Sequence, residues 1–133
     1  MTPGTHGSTF GGNPLAMAVA SEVVDIVLEP GFLEQVRDRG RRLKGALLEL
    51  VQRHPRIFEG IRGEGLLLGL KCRRSVAEVA CAARDEGLLT VIAGDNVLRI
   101  LPPLTITVGE IEEGLSKLNS AVETLETLAE GGA

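Results

Sequence analysis

The chain has 133 residues, of which 44% are hydrophobic and 2% aromatic, and its formal net charge is −4 at pH 7. This length and apolar content predict a globular protein with a hydrophobic core and argue against disorder. The charges are spread along the sequence without a basic block. Neither a phosphate-tracking stripe nor an aromatic stacking platform for nucleic acid is therefore predicted.

The cysteines and histidines give no sign of a metal or redox site. Cys72 and Cys81 are nine residues apart, and we interpret both as reduced thiols packed in the core. His6 and His54 have no second ligand at a useful spacing, so no metal site is predicted. With neither a membrane span nor a signal peptide in the pattern, we expect a soluble protein of the cytoplasm.

Two helices are predicted in the first half of the chain. Asn13 supplies an N-cap and Pro14 a proline at the first helical position, and the pattern stops at residues 29–31. A second apolar stripe ends ahead of His54. It includes Gly40, where we expect another element to pack closely.

Two hairpins follow. Residues 57–62 and 66–71 form short segments joined by a turn at residues 63–65, and residues 88–92 and 97–101 bracket a second turn. Hairpins favour an antiparallel sheet covered by helices on one face. The predicted fold class is α+β.

Capping patterns mark two further helices. Ser75 and Glu78 predict a capping box ahead of a short helix, and Thr107 and Glu110 predict another ahead of the last helix. The acidic first turn of that last helix suits the helix dipole. Residues 130–133 are expected to form a frayed tail.

A glycine-rich segment before the first helix, residues 7–14, carries the hydroxyls of Ser8 and Thr9. Small residues and hydroxyls ahead of a helix N-terminus can present backbone and side-chain donors to an anion. The same composition also makes an ordinary cap, in which the hydroxyls bond to nearby backbone. The residues alone leave both interpretations open and favour the cap.

One cation, Arg99, interrupts the apolar stretch from Asn96 to Leu104, which contains the double proline Pro102-Pro103. A desolvated guanidinium needs an anionic partner, and arginine is suited to hold a carboxylate in a bidentate fork. An outward-facing arginine on an edge strand is the alternative. The pattern does not choose between them.

Three ordered segments resemble class III aminotransferases, specifically the acetylornithine/ornithine branch, and the resemblance runs from the first residue to about Leu128. They are Thr5-His6-Gly7-Ser8-Thr9-Phe10-Gly11-Gly12-Asn13-Pro14-Leu15-Ala16, the hairpin from Ile61 to Leu70, and the stretch from Asn96 to Leu104. The resemblance implies the small antiparallel sheet found in the C-terminal domain of fold-type I aminotransferases, and dependence on pyridoxal phosphate.

The resemblance also implies a role for particular residues. Residues 1–30 would be an interface arm and helix from the end of the large cofactor domain, and residues 31–133 the C-terminal small domain. Arg99 would bind the substrate α-carboxylate. Thr9, assisted by Ser8, would contact the cofactor phosphate of the neighbouring subunit in a homo-oligomer.

The residues that perform the chemistry in that family lie upstream of the matching segment. They are the lysine that holds the cofactor covalently, the aspartate that pairs with the pyridine nitrogen, and the aromatic residue that stacks on the ring. Lys44, Lys71 and Lys117 are interpreted instead as solvated surface residues. Since Met1 matches an internal position, we expect a truncated gene, a fragment or a mis-called start that has no catalytic residue of its own, binds no cofactor alone and is inactive.

The resemblance implies a reaction for the intact enzyme. This branch moves an amino group between N-acetylornithine and 2-oxoglutarate in arginine biosynthesis, so small amino acids and 2-oxo acids would be its substrates. The residues do not distinguish acetylornithine, ornithine, succinylornithine and 4-aminobutyrate as amino donors. The alternative is a stand-alone α+β module that dimerises or binds a partner without chemistry.

Overall fold

The computed structural model describes residues 7–130, and of Glu130 only the backbone. The start of the matched run, Thr5 and His6, and the tail at residues 131–133 lie outside the described residues. The elements within them follow the predicted order: α1 Pro14–Leu28, α2 Phe32–Arg53, β1 Phe58–Glu64, β2 Leu67–Cys72, α3 Val76–Asp85, β3 Val91–Ala93, β4 Val97–Ile100 and α4 Val108–Glu130. None of the helices in this part of the chain is long and apolar enough to cross a membrane.

The chain divides into two compact units, and the boundary along the sequence falls between Gln35 and Val36. The first unit contains α1. The second contains the sheet, α3, α4 and most of α2. The assignment of residues 1–30 and 31–133 to two domains of a larger enzyme stays a prediction.

The predicted start and end of α1 are confirmed. The side chain of Asn13 accepts a hydrogen bond from the Ala16 N–H at 2.9 Å, and Pro14 occupies the first turn. No residue of α1 is buried, although the helix is rich in large apolar side chains such as Leu15, which is 75% exposed. A helix that is apolar around its circumference is normally covered by other protein.

The sheet of the second unit is antiparallel, with strand order β1-β2-β4-β3. This confirms the predicted fold class, but the first turn is tighter than predicted. Glu64 pairs with Leu67, which leaves only Gly65 and one further residue in the turn. Gly65 takes φ +59°, the left-handed conformation that two-residue hairpins favour at their first position.

The core lies between one face of the sheet and the helices. Leu68, Leu70 and Cys72 of β2 and Leu98 of β4 point to this side and are buried. They pack against apolar residues of α2, α3 and α4: Leu43, Leu47, Leu50, Val76, Val79, Ala83, Ile111, Leu118, Ala121 and Val122. Alternate residues of each strand point to opposite faces of the sheet. The helices of the second unit pack on the core face and leave the other face uncovered.

Strand β3 and one cysteine depart from the sequence predictions. β3 covers only Val91–Ala93 instead of residues 88–92. The Leu88 N–H donates to the carbonyl of Ala83 at 2.8 Å and its side chain packs on the core, so this part of the chain ends α3 rather than pairing in the sheet. Cys81 is exposed and therefore not a core residue.

One predicted capping box is wrong and the other is confirmed. Ser75 occupies the N-cap position of α3 but its side chain makes no capping bond. The Val76 N–H instead donates to Oδ1 of Asn96 at 2.9 Å. At α4, Oε2 of Glu110 accepts from the Thr107 N–H at 2.7 Å and Oγ1 of Thr107 accepts from the Glu110 N–H at 3.2 Å. The Thr107 N–H and the Thr107 hydroxyl both donate to the Glu110 carboxylate, and these two bonds hold the pKa of Glu110 below its usual value.

Candidate functional site

Arg99 lies in the interior of the sheet, on its uncovered face. β4 is flanked on both sides, and Arg99 pairs with Gly69 of β2 and Val91 of β3. Its neighbour Leu98 is fully buried in the core, which places Arg99 on the opposite face. The outward orientation considered from the sequence is therefore correct, but the edge-strand position is wrong.

A groove of about 480 Å³ runs across this face beside Arg99. Its centre is the row Arg62, Gly69 and Arg99, which adjacent strands place side by side. A Cβ at Gly69 would lie 2.6 Å from Cγ1 of Val97, so only glycine leaves that side chain in place. The remaining lining includes Gly63, Leu67, Ala93, Gly94 and Leu101. The groove thus combines apolar walls with two guanidinium groups.

The two guanidinium groups differ in their partners. Nη1 of Arg62 donates to Oδ2 of Asp95 at 2.6 Å, whereas the Arg99 side chain has no hydrogen bond or ion pair with any residue from 7 to 130. A guanidinium presents donors that match both oxygens of a carboxylate. Arg99 is therefore available to bind a carboxylate from outside the described chain.

Asp95 binds two cations at the end of this groove. Nζ of Lys71 lies 2.8 Å from Oδ1 of Asp95, and Arg62 binds the other oxygen. Lys71 first, and Arg62 second, hold the pKa of Asp95 below its usual value. The Lys71 side chain is only 17% exposed, so the prediction that it is a solvated surface residue is wrong.

Ser8 and Thr9 lie in the first unit, ahead of α1. Oγ of Ser8 accepts from the Gly11 N–H at 2.8 Å, the local contact expected of an ordinary cap. Ser8 keeps its own hydroxyl proton as a donor. Thr9 is exposed, and its side chain has no hydrogen bond to any described residue. Two hydroxyl donors fit the oxygens of a phosphate group.

The helix N-terminus itself offers less to an anion than the sequence suggested. Pro14 has no N–H, and the Ala16 N–H already donates to Asn13. A phosphate contact here would therefore depend on the hydroxyls of Ser8 and Thr9. Ser8 and Thr9 belong to the first unit and Arg99 to the second.

The polar groups around Arg99 were not singled out from the sequence. Asp95 and Asn96 follow a glycine in a predicted turn, and that pattern favours residues able to take positive φ. The sequence thus predicts the turn but not the contacts of its polar side chains. Arg62 and Lys71, the partners of Asp95, come from strands more than twenty residues earlier, and no local pattern relates them to Asp95.

No group of three or more His, Cys, Asp or Glu side chains suited to a metal is found between residues 7 and 130. His54, the residue that follows α2, is buried instead in polar contacts with α4. Its Nδ1 lies 2.9 Å from Oε2 of Glu126, and its Nε2 lies 3.3 Å from Oδ1 of Asn119. These contacts join two helices of the core.

The sequence and the fold are similar to known aminotransferases. Residues 1–122 match the family Aminotransferase class-III. The chain is 51% identical over 125 residues to acetylornithine aminotransferase of Mesorhizobium japonicum, and 53% identical over 125 residues to that of Agrobacterium fabrum. Each alignment covers 94% of this chain and 31% of the relative.

Among solved structures, N-acetylornithine aminotransferase from Stenotrophomonas maltophilia K279a matches with a TM-score of 0.81 at 31% identity. That match covers 89% of this chain and 33% of the other. The chain thus spans about one third of the length of the relatives it matches. Since the family match extends over nearly all of its residues, the chain belongs to the class III aminotransferases, a family of pyridoxal-phosphate-dependent enzymes.

Proposed function

We propose that this chain forms the C-terminal third of an acetylornithine aminotransferase. The complete enzyme would convert N-acetylornithine and 2-oxoglutarate into N-acetylglutamate semialdehyde and glutamate. The proposal is supported by relatives of that name at 51% and 53% identity, which are about three times as long as this chain. We propose N-acetylornithine rather than ornithine as the amino donor because those relatives are named acetylornithine aminotransferase.

The position of the Arg99 side chain is the observation that carries the proposal. Its guanidinium lies on the uncovered face of the sheet, beside apolar walls, with no partner among residues 7–130. In such a site a carboxylate would receive two parallel charge-assisted hydrogen bonds, which both bind and orient it. Glutamate and 2-oxoglutarate each carry an α-carboxylate, and we assign Arg99 to that group.

Ser8 and Thr9 are assigned to the phosphate group of pyridoxal phosphate. Each has a hydroxyl proton that it does not donate to a described residue. When bound, the cofactor supplies the electron sink of the reaction. Thr9 would hold the phosphate of the partner subunit's cofactor, with Ser8 assisting, and this arrangement requires a homo-oligomer.

The lysines of this chain are engaged elsewhere. Nζ of Lys44 lies 3.1 Å from Glu64, Lys71 binds Asp95, and Lys117 binds Glu113 on α4. A lysine that holds the cofactor must reach it as a free amine. We therefore expect the catalytic lysine in the upstream part of the enzyme, and we expect the isolated chain to be inactive and to hold no cofactor.

A second candidate function is association without chemistry. It is favoured by α1, in which no residue is buried and the apolar side chains Leu15, Val19 and Val23 are exposed. Large exposed apolar patches mark interaction surfaces. For the isolated chain, a non-catalytic module that pairs with other copies is the corresponding proposal.

The test compares two proteins. One is the isolated chain. The other, called here the fusion enzyme, is the Agrobacterium fabrum relative in which this chain replaces the matching 125 residues. We expect the fusion enzyme to transfer the amino group of N-acetylornithine to 2-oxoglutarate, and the isolated chain mixed with pyridoxal phosphate to show neither a protein-bound visible band nor turnover. A folded fusion enzyme without activity contradicts the assignment, and turnover by the isolated chain contradicts its dependence on an upstream lysine.

A further inference from the structure

The turn between β3 and β4 adopts a conformation that is rare for residues with side chains. Asp95 and Asn96 have φ +60° and +54°. Asparagine and aspartate tolerate the left-handed region better than other non-glycine residues, but two in succession still need support from their surroundings. The structure provides that support at both positions.

Asn96 connects the turn to β2 and to the start of α3. Its Nδ2 donates to the carbonyls of Cys72 and Arg74, at 2.7 Å each, and its Oδ1 accepts from the Val76 N–H at 2.9 Å. Its backbone carbonyl accepts from the Cys72 N–H at 2.9 Å, which extends the pairing of β2 with β4. The side-chain amide of Asn96 therefore bonds to residues 72–76 through both its nitrogen and its oxygen.

Asp95 holds the same turn from the opposite side. Its two carboxylate oxygens bind Arg62 of β1 and Lys71 of β2. The turn is thus attached to both strands that lie beyond β4 in the sheet. These bonds hold the start of β4 in place. Arg99 lies on this strand, three residues after Asn96.

β4 needs such an anchor because it is short. It covers only Val97–Ile100, and its outer neighbour β3 has three residues. Few ladder hydrogen bonds therefore fix its register. A slip of one residue would turn Arg99 to the core side and Leu98 to the groove, because strand side chains alternate between faces.

We propose that Asn96 is a positioning residue that fixes the register of β4 and so holds the Arg99 guanidinium on the open face of the sheet. The proposal rests on the assignment of Arg99 to the substrate carboxylate. Asn96 itself does not touch the substrate. Its side-chain amide faces Cys72, Arg74 and Val76, on the α3 side of the turn.

The test uses Asn96→Gly in the fusion enzyme, since glycine accepts φ +54° and removes only the side-chain bonds. Asn96→Asp is the second variant: it keeps the acceptor for Val76 but turns a carboxylate oxygen toward two carbonyls. Asn119→Ala is the matched control. It removes an asparagine that also bonds across elements, to Arg53 and His54, but lies on α4 away from the groove.

For both Asn96 variants we expect the KM for glutamate to rise about ten-fold or more, as small misplacements of a binding group do, while cofactor content stays unchanged. In the 133-residue chain, amide hydrogen exchange of Val97–Ile100 should accelerate in Asn96→Gly and stay unchanged in Asn119→Ala. A merely stabilising residue would raise exchange throughout the unit and leave the KM as in the control.

The outcomes separate the two claims. If Arg99→Lys raises the KM for glutamate but neither Asn96 variant exceeds Asn119→Ala, the positioning role is overturned and the role of Arg99 remains. If Arg99→Lys itself leaves the KM unchanged, the proposed function of Arg99 is overturned, and the positioning role with it.

Discussion

Gly40 of α2 lies directly against the backbone of Gly65 in the β1–β2 turn. A Cβ at Gly40 would stand 3.0 Å from both the carbonyl carbon and the carbonyl oxygen of Gly65. Backbone atoms cannot give way as the end of a flexible side chain does. This contact explains why a glycine interrupts the apolar stripe of α2, and it confirms the close packing predicted at that position.

Gly40→Ala and Gly45→Ala are predicted to change stability in opposite directions. Both positions are in α2, where alanine is favoured over glycine by about 1 kcal/mol. At Gly45 nothing lies within 4 Å of an added Cβ, so the free energy of unfolding should rise by that amount. At Gly40 overpacking should outweigh the helix term and give a net loss of about 1 kcal/mol.

Urea unfolding at neutral pH measures both variants against the parent chain. Gly45→Ala serves as the control for helix propensity. Equal stabilisation by both substitutions would mean that α2 can move away from the turn at little cost, contrary to the packing described above.

The ion pairs of Asp95 predict a loss of stability in acid. Lys71 and Arg62 lower the pKa of Asp95 in the folded protein, so the pairs stabilise the fold above the ordinary pKa of about 4. This contribution is lost as the pH falls through the lowered value. We expect Asp95→Asn to reduce the fall in unfolding free energy between about pH 5 and about pH 2.

An NMR titration of the Asp95 carboxyl carbon measures the pKa directly, and Lys71→Met is the control. Removing Lys71, the stronger cause of the shift, should bring the midpoint back toward the ordinary value. A midpoint that is already ordinary in the parent chain would show that the carboxylate is not paired in solution.

The isolated chain is predicted to self-associate through α1. Sedimentation at micromolar concentration should detect a dimer or a larger species. Val19→Glu with Val23→Lys should shift it toward monomer, because the pair places charges on the exposed apolar helix while an i,i+4 ion pair preserves its helicity. Leu48→Lys, at an exposed position of α2, is the control and should leave the sedimentation profile unchanged. A monomeric parent chain would contradict the association surface.

The sequence predicts the regular parts of this fold better than its irregular ones. Period and capping signals locate α1, α2 and α4 because each has a long apolar stripe and clear end residues. The sequence places the start of β3 at residue 88, ahead of its actual start at Val91, because the apolar side chain of Leu88 packs on the core and is not part of the sheet. Ser75 matches the pattern of an N-cap, but the tertiary fold places the side-chain amide of Asn96 against the Val76 N–H instead.

The candidate site was predictable only in part. Arg99 stood out as a single cation in an apolar strand, and Ser8 and Thr9 as hydroxyls ahead of a helix. The contacts of Asp95 with Arg62 and Lys71 depend on strand order, which a single sequence does not specify. A lysine at a strand end, such as Lys71, has the same local pattern whether it is solvated or paired.

Thr9 is predicted to act on the cofactor of the neighbouring subunit. In a dimer of the fusion enzyme, one subunit would carry Thr9→Val and the other an inactivated catalytic lysine. The only site with a lysine would then receive an intact Thr9 from the opposite chain, and about half the activity should remain, because one of two sites is complete.

The control places both changes on one subunit. The surviving lysine is then served by the altered Thr9, and cofactor affinity there should fall by about 1.5–3 kcal/mol for one lost hydrogen bond to a charged group. Identical cofactor affinity in the two arrangements would reject the cross-subunit role and leave Thr9 as an ordinary loop residue.

The role of Arg99 is tested most directly by Arg99→Lys in the fusion enzyme, with glutamate compared with 4-aminobutyrate, which lacks the α-carboxylate. Lysine keeps the charge but cannot make two parallel bonds to a carboxylate. We predict that kcat/KM for glutamate falls about ten- to a hundred-fold, as expected for one lost charge-assisted bond. Cofactor content and kcat/KM for 4-aminobutyrate should change little. An equal loss for both substrates would contradict the assignment of Arg99 to the α-carboxylate.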